Sequence, residues 1–387
     1  MTPTPTSPAR ARPRAALIAL AAAALLAGCG GHSVNLERAA SDHYADGRFH
    51  NLDSGFALPS LGQVLAFQWS RVTRRMPAPT TDITPIVPDL GWLQPNRSAT
   101  SATWIGHATV LLQLGGLNVL TDPQFSQRAS PVQWLGPRRL VPPALSVEEL
   151  PPLDVVLISH AHFDHLDEAS VKAVAAHGNP LFIVPLGIDA LLRDWGVTHV
   201  QALDWNEQTA LDGAAGPVQF DCVPARHWSR RGVFDKDREL WAGWVVTAGG
   251  FRAYYSGDTG WDAALFAALG ERFAPVDLAI LPVGAYEPRG FMRNQHIDPA
   301  EAVQVFAALG AKRGLGVHWG TFDLSDEAPD APRQALPAAL LAAGLPEDAI
   351  ALVRPGSTLH WGPAQKPDLR GKSPRYPKRQ WRAGEPR

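Results

Sequence analysis

Residues 158–167 read ISHAHFDHLD, which places three histidines and two aspartates within eight positions, directly after an apolar run. Imidazole and carboxylate together suit zinc and, less selectively, iron or manganese. In a loop at a strand's end, alternate side chains point one way and adjacent ones another. His160 and His162 can therefore share one metal, while Asp164 and His165 turn to a second. Each ion needs further ligands. His227 after VPAR, Asp258 after YYSG and His318 after GLGV all follow apolar, β-rich runs. The pattern predicts one site from His160, His162 and His227, a second from Asp164, His165 and His318, and Asp258 bridging the two.

Two zinc ions about 3.5–4 Å apart lower the pKa of a bridging water to roughly 7 and so supply hydroxide at neutral pH. On that basis the predicted chemistry is hydrolysis, with Asp164 or Asp258 taking the water's proton. A purely structural zinc is usually closed by four protein ligands, often thiolates, whereas this set leaves room for water. Cys222 sits in the strand before His227 and is read as core. Asp122 in LTDP is either the hydrogen-bond partner that orients a ligating histidine or a turn residue before Pro123. His107 in WIGHAT lies near the cleft or is buried and satisfied. Arg230, Arg231 and Arg289 either steer a phosphate or form surface ion pairs. His32, His43, His50, His177, His199 and His360 have no partner pattern.

Alternating and apolar runs predict the elements that carry these residues. TWIGHATVLLQL, a Gly115-Gly116 turn and LNVLTDP form a hairpin, and DVVLISH (154–160) is a strand ending at the first motif. Residues 168–177 and 187–195 read as helices around the strand LFIVP. VQFDCVPARH (218–227) is a strand, and WAGWVVTAGGFRAYYSGDTG is a hairpin running into Asp258. VDLAILPVG (276–284) is a strand, PAEAVQVFAALGA (299–311) a helix, and RGLGVHWG a strand running into His318. Hairpins come first, then mixed β and α units, then a second such half, which is an α/β chain of the α+β kind. A hydrophobic fraction of 45% and a charged fraction of 19% belong to a globular protein with a full core. A net charge of -2 implies no polyanionic partner, so nucleic acid is not expected.

The two ends read differently. Arg10, Arg12 and Arg14 precede an apolar stretch over 15–26, followed by Leu26-Ala27-Gly28-Cys29. The layout is that of a secretory signal, too short to span a bilayer as a permanent helix. Its L-A-G-C ending resembles a bacterial lipoprotein signal, which implies lipidation of Cys29 and a place in the cell envelope. Glycines rather than aspartate after the cysteine favour the outer membrane, on its periplasmic side. An ordinary signal peptide, or a misassigned start ahead of a cytosolic enzyme, stays open. The division expected is 1–28 signal peptide, 29–99 N-terminal extension and linker, 100–362 hydrolase domain and 363–387 basic tail. Within the extension, Leu61, Val64, Leu65, Trp69 and Val72 fall at helical spacing, either facing a membrane or docked on the domain. Residues 77–99 read as a linker or an extended wrap, and a homodimer stays open.

H-x-H-x-D-H followed by distant His, Asp and His resembles the metallo-β-lactamase superfamily, which implies a four-layer αββα sandwich with two metals at the strand ends. TWIGHATVLL, LTDPQFSQRASP, RHWSRRG, YYSGDTG, PVGAYEPRGFM, QHIDPAEAV and VHWGTFDL further resemble the N-acylphosphatidylethanolamine-hydrolysing phospholipases D and their bacterial relatives. This likeness covers roughly residues 100–330, with DGRFHN adding to it near the N-terminus. It implies the same seven metal ligands, His296 facing the substrate phosphate and Gln133 at the substrate site. Phe163 stands where the mammalian-type enzyme has tyrosine, so any hydroxyl contribution there is lost. The expected activity is metal-dependent hydrolysis of a phospholipid to phosphatidate and N-acylethanolamine. A lactonase or amide hydrolase, and a non-catalytic metal-binding envelope lipoprotein, are the alternatives.

Overall fold

The computed structural model describes residues 43–53, 55–73 and 76–361. The expected signal peptide, Cys29 and the expected basic tail lie outside them. Among the described residues no helix is long and apolar enough to cross a membrane.

The N-terminal part contributes a small hairpin, β1 (Tyr44–Ala45) and β2 (Arg48–Phe49), then helices α1 (Leu61–Thr73) and α2 (Leu90–Leu93). The first half of the main body holds β3 (Thr100–Gly106), β4 (Thr109–Leu114), β5 (Leu117–Thr121), β6 (Val155–Leu157), α3 (Glu168–Ala176), β7 (Leu181–Pro185), α4 (Ile188–Asp194) and β8 (Val200–Leu203). The second half begins with β9 (Gln208–Gly213), β10 (Gly216–Val223), β11 (Gly243–Ala248), β12 (Phe251–Tyr255), α5 (Ala263–Phe273) and β13 (Leu278–Pro282). It ends with α6 (Arg289–Met292), α7 (Pro299–Ala308), β14 (Arg313–Val317), α8 (Ala331–Ala342), β15 (Ile350–Ala351) and β16 (Thr358–Trp361).

Two seven-stranded sheets result, ordered β16-β3-β4-β5-β6-β7-β8 and β15-β14-β13-β12-β11-β10-β9. Each is antiparallel through its hairpins and parallel at its crossovers, which are helical except for the long irregular connection from β5 to β6. Period-two alternation decides what each face buries. Leu112, Val119, Val155 and Leu157 of the first sheet join Phe220, Trp244 and Val246 of the second in the core between them. Leu111, Leu120, Val156 and Ile158 point the other way, onto Val171 and Val174 of α3 and Ile188 and Leu192 of α4. Phe266 of α5, Val305 of α7 and Leu340 of α8 extend the central cluster over the second sheet. The order is helix, sheet, sheet, helix, the expected αββα sandwich. Cys222 is buried in it and unbonded to any other cysteine.

Helix boundaries follow capping chemistry. Asp167 caps α3 by accepting from the Ser170 N–H, and α7 has Pro299 in its first turn with a full capping box between Asp298 and Glu301. Helix α7 stops at Ala308, short of the expected residue 311, where Gly310 turns with φ 54°.

Residues 77–99 wrap the body. Ile83 enters the core, the Ile86 N–H bonds the Pro355 carbonyl, and Asp330 accepts from the backbone and hydroxyl of Thr80 and the backbone of Thr81. Helix α1 docks by stacking Phe67 on Phe291 at 4.5 Å and by pairing Arg71 with Asp323. On its other side Leu61 and Leu65 are exposed.

Candidate metal centre

The predicted residues arrive from separate strand ends. Asp122 follows β5, the H-x-H-x-D-H loop follows β6, His227 follows β10, Asp258 follows β12 and His318 follows β14. Gly257 makes one of these approaches feasible. It has φ 57°, and a Cβ there would lie 2.5 Å from the Ser159 Cβ. Only glycine lets the SGDTG turn press Asp258 against the histidine loop. His107 and His318 also adopt positive φ, 53° and 62°, and the His318 N–H bonds the His107 carbonyl at 3.0 Å. Left-handed backbone at two non-glycine residues persists where surrounding structure over-determines it, as functional sites do.

Two groups of ring and carboxylate atoms converge. His160 Nε2 lies 2.8 Å from His162 Nδ1, and His227 Nε2 lies 3.2 Å from the same atom. In the second group, His165 Nε2 and His318 Nε2 are 3.1 Å apart, with Asp164 Oδ2 at 3.5 and 3.2 Å from them. Asp258 Oδ2 faces both, at 3.2 and 3.3 Å from His165 and His318 and 4.0 Å from both His160 and His227. All seven residues predicted as ligands therefore share one buried centre.

The donor set fits metal ions. Tetrahedral zinc with bonds of about 2.0–2.1 Å brings its imidazole nitrogens roughly 3.3 Å apart, close to the spacings seen. Lone pairs that face one another in this way need a cation or a proton between them. Asp258 Oδ1 is buried with no hydrogen-bond partner among the described residues, as expected of a carboxylate at a coordinating centre.

Outer partners fix the rings. His165 Nδ1 donates to Asp122 Oδ2 at 2.6 Å, and the same carboxyl accepts from the Ser159 N–H, the Ser159 hydroxyl and the Tyr255 hydroxyl. His227 Nδ1 donates to the Gln295 carbonyl at 2.9 Å, and His160 Nδ1 meets the Ser159 hydroxyl at 2.9 Å. Such contacts set tautomer and ring orientation. Asp122 is thus both the orienting partner and the turn residue. His107 is buried beside the centre, with Nε2 3.0 Å from Asp164 Oδ2, while its Nδ1 has no hydrogen-bond partner among the described residues, so it lies near the cleft but is only half satisfied. Ser159, Tyr255 and Gln295 carried no sequence signal.

Burial and charge act against each other here. Burial pushes His162 and His296 down to about 4 and His107 to about 3, and holds His160 and His227 well below the usual imidazole range. The same burial opposes charge on His165 and His318, but the Asp258 and Asp164 carboxylates override it. His318 rises to about 9 and His165 well above its ordinary value. Burial likewise opposes charge on Asp164 and Asp258, and the facing histidines, His165 foremost, hold both well below the usual carboxylate range.

The sign of the pH effect follows. The proton on His318 stabilises the metal-free fold fully below pH 6.5, and that stabilisation is lost as pH rises through about 9. A metal competes with this proton, so zinc affinity is expected to rise between pH 6.5 and about 9. Competition titrations against a chelating dye at the two ends of the window check this. A flat affinity would remove His318 from the ligand set.

The remaining candidates divide. His296 joins the centre half-buried, with Nδ1 3.7 Å from Asp258 Oδ2 and without a hydrogen-bond partner among the described residues for that atom. Gln133 does not join it. It is exposed, and its amide closes on the backbone of Arg128. The arginines are structural. Arg231 donates to the carbonyls of Ala161 and Leu166, at the two ends of the histidine loop, while its guanidinium packs over Phe163 at 4.2 Å and Trp195 at 5.0 Å. Phenylalanine at 163 therefore has a job of its own. Arg289 binds the His296 carbonyl and Glu301, and Arg230 turns back onto Gly232 and Val233. None of the three needs a phosphate to satisfy it.

A family model described as a beta-lactamase superfamily domain matches residues 117–319. The chain is 40% identical over 236 residues to an N-acyl-phosphatidylethanolamine-hydrolyzing phospholipase D of Caenorhabditis elegans, a match covering 59% of this chain and 66% of that one. It is 38% identical over 325 residues to an uncharacterized protein of Mycobacterium tuberculosis, covering 82% and 83% of the two chains. Among solved structures, a metallo hydrolase of Ignicoccus hospitalis matches with a TM-score of 0.51 at 20% identity, over 69% of this chain and 100% of the other, a likeness of fold.

Proposed function

The chain belongs to the metallo-β-lactamase superfamily and is a metal-dependent hydrolase, and from that premise we propose that it is a phosphodiesterase of phospholipase D type. The proposed substrate is N-acylphosphatidylethanolamine or a related phospholipid, and the proposed products are phosphatidate and N-acylethanolamine. The carrying observation is the pair of convergent donor groups sharing Asp258 Oδ2, with His296 Nδ1 unpartnered beside it among the described residues. The activity for which the worm relative is named supports the substrate class.

In this reading His160, His162 and His227 hold one ion and Asp164, His165 and His318 a second, zinc in both or iron or manganese. A metal pair bound there would supply hydroxide at neutral pH and polarise a phosphoryl oxygen. Asp258 holds the two halves of the centre in register. His296, neutral at pH 7 because burial lowers it to about 4, donates one ring N–H to a phosphate oxygen as charge develops. Oxygen from water bonds to phosphorus and the bond to the N-acylethanolamine oxygen breaks. Asp164 or Asp258 takes the water's proton, which ends on the departing alkoxide. No covalent enzyme intermediate is required.

The test offers zinc-loaded protein N-acylphosphatidylethanolamine in mixed micelles, with and without chelator, beside His296→Ala. Chelator-sensitive release of both products, slowed about 10²–10³-fold in the variant, is expected. A protein that holds two metals yet releases neither product, and turns over a phosphorylated lactone instead, would overturn the substrate assignment.

Lipidation of Cys29 belongs to the same reading. An anchor holds the cleft beside phospholipid and raises the encounter rate without any new contact. Cys29→Ser is expected to move the protein from the membrane to the soluble fraction of cells, and an unchanged distribution would count against the anchor.

A further inference from the structure

We infer that the segment around residues 49–57, ahead of both sheets, is a working part of the metal centre, with Asn51 as a positioning residue for His227. His227 lies beyond the end of β10 at Val223 and before β11 begins at Gly243, so no sheet ladder holds its backbone. Asn51 does so instead. Its Nδ2 donates to the His227 carbonyl at 2.7 Å, and its Oδ1 accepts from the His227 N–H at 3.1 Å. One side-chain amide thereby satisfies both backbone groups of a fully buried histidine, as a neighbouring strand would.

The grip extends to the loop that carries His296. Asp53 Oδ2 accepts from Arg226 Nε and Nη2 at 3.3 and 3.0 Å. Arg226 Nη1 donates to the Asn294 carbonyl at 2.9 Å, and Asn294 Nδ2 donates back to the Ala57 carbonyl at 2.8 Å. The Gln295 carbonyl then takes the His227 Nδ1–H, which closes the circuit on the same imidazole. The segment is itself seated, because Phe49 is buried and its N–H bonds the Asp237 carbonyl. It precedes residue 117, where the family model's match begins, so this chain supplies the device from outside that match.

Imidazole ligation needs the ring held to within about 0.5 Å, and loss of an outer partner typically lowers metal affinity 10–100-fold. The inference rests on His227 being a metal ligand. Full-length wild type, Asn51→Ala, Asn51→Asp and His227→Ala would each be titrated with Zn2+ against a chelating dye, and their metal-free melting midpoints recorded. Asn51→Ala is expected to weaken one of two zinc equivalents about 10–100-fold and to leave the other near wild type, with the metal-free midpoint lowered because the buried His227 N–H and carbonyl lose their partner. Asn51→Asp keeps the acceptor for the His227 N–H but replaces the donor with a carboxylate oxygen facing the His227 carbonyl. A loss on the same equivalent is expected, and this variant decides the matter should Asn51→Ala not fold. Both equivalents at wild-type affinity, or both weakening together, would overturn the role. Two undisturbed equivalents in His227→Ala would overturn the ligand reading and the inference with it, whereas a missing equivalent there beside a normal one in the Asn51 variants sinks only the inference.

Discussion

Asp258→Asn is expected to lower turnover by about three orders of magnitude while the protein stays folded. Asparagine keeps the volume and one oxygen, so the SGDTG turn and its close approach to Ser159 survive. The charge does not. Asp258 Oδ2 lies 3.2 and 3.3 Å from His165 and His318, and 4.0 Å from His160 and His227, so one carboxylate serves both halves of the centre. Metal-assisted stabilisation of transition-state charge amounts to several kcal/mol. Loss of about 4 kcal/mol corresponds to roughly 10³ in rate. The check is kcat at saturating metal, beside the zinc content of the variant. Activity within tenfold of wild type would mean that Asp258 does not join the two halves.

Asp122→Ala is expected to produce the largest loss of stability. The side chain is fully buried and accepts from the Ser159 N–H at 2.7 Å, the Ser159 hydroxyl at 2.5 Å, His165 Nδ1 at 2.6 Å and the Tyr255 hydroxyl. Alanine leaves four donors buried beside a hole. Breaking a buried charged network in this way costs about 3–5 kcal/mol, a large share of the roughly 5–15 kcal/mol that holds a domain folded. The released His165 ring should also weaken metal binding about 10–100-fold. Asp122→Asn fills the space yet turns an NH2 toward donors, so it should lose metal affinity with a smaller loss of stability. Urea midpoints and dye titrations of the two variants separate the effects. Wild-type stability in Asp122→Ala would leave Asp122 as a turn residue alone.

The ligand set was legible because its information is local. His160, His162, Asp164 and His165 sit in one short loop, and His227, Asp258 and His318 each end an apolar run. Strand ends are where an αββα sandwich gathers its functional side chains, so position along the chain carried position in space. The sheets were legible for a similar reason, since alternating runs and glycine turns mark hairpins directly. What could not be read arises from long-range pairing. Asn51 and His227 are 176 residues apart, and Tyr255 meets Asp122 across 133. Neither asparagine nor tyrosine announces such a partner by type. The arginines stayed open between two readings for a related reason, because Arg231 and Arg289 suit a phosphate by chemistry, and only the fold brings the carbonyls, carboxylates and rings that already satisfy them. Gln133 likewise closes on its own loop.

The most direct test is anomalous diffraction from crystals of the zinc-loaded protein. Two peaks are expected, one enclosed by His160, His162 and His227 and the other by Asp164, His165 and His318, with Asp258 reaching both. A single peak, or a pair in which either lies away from these side chains, would contradict the dinuclear centre.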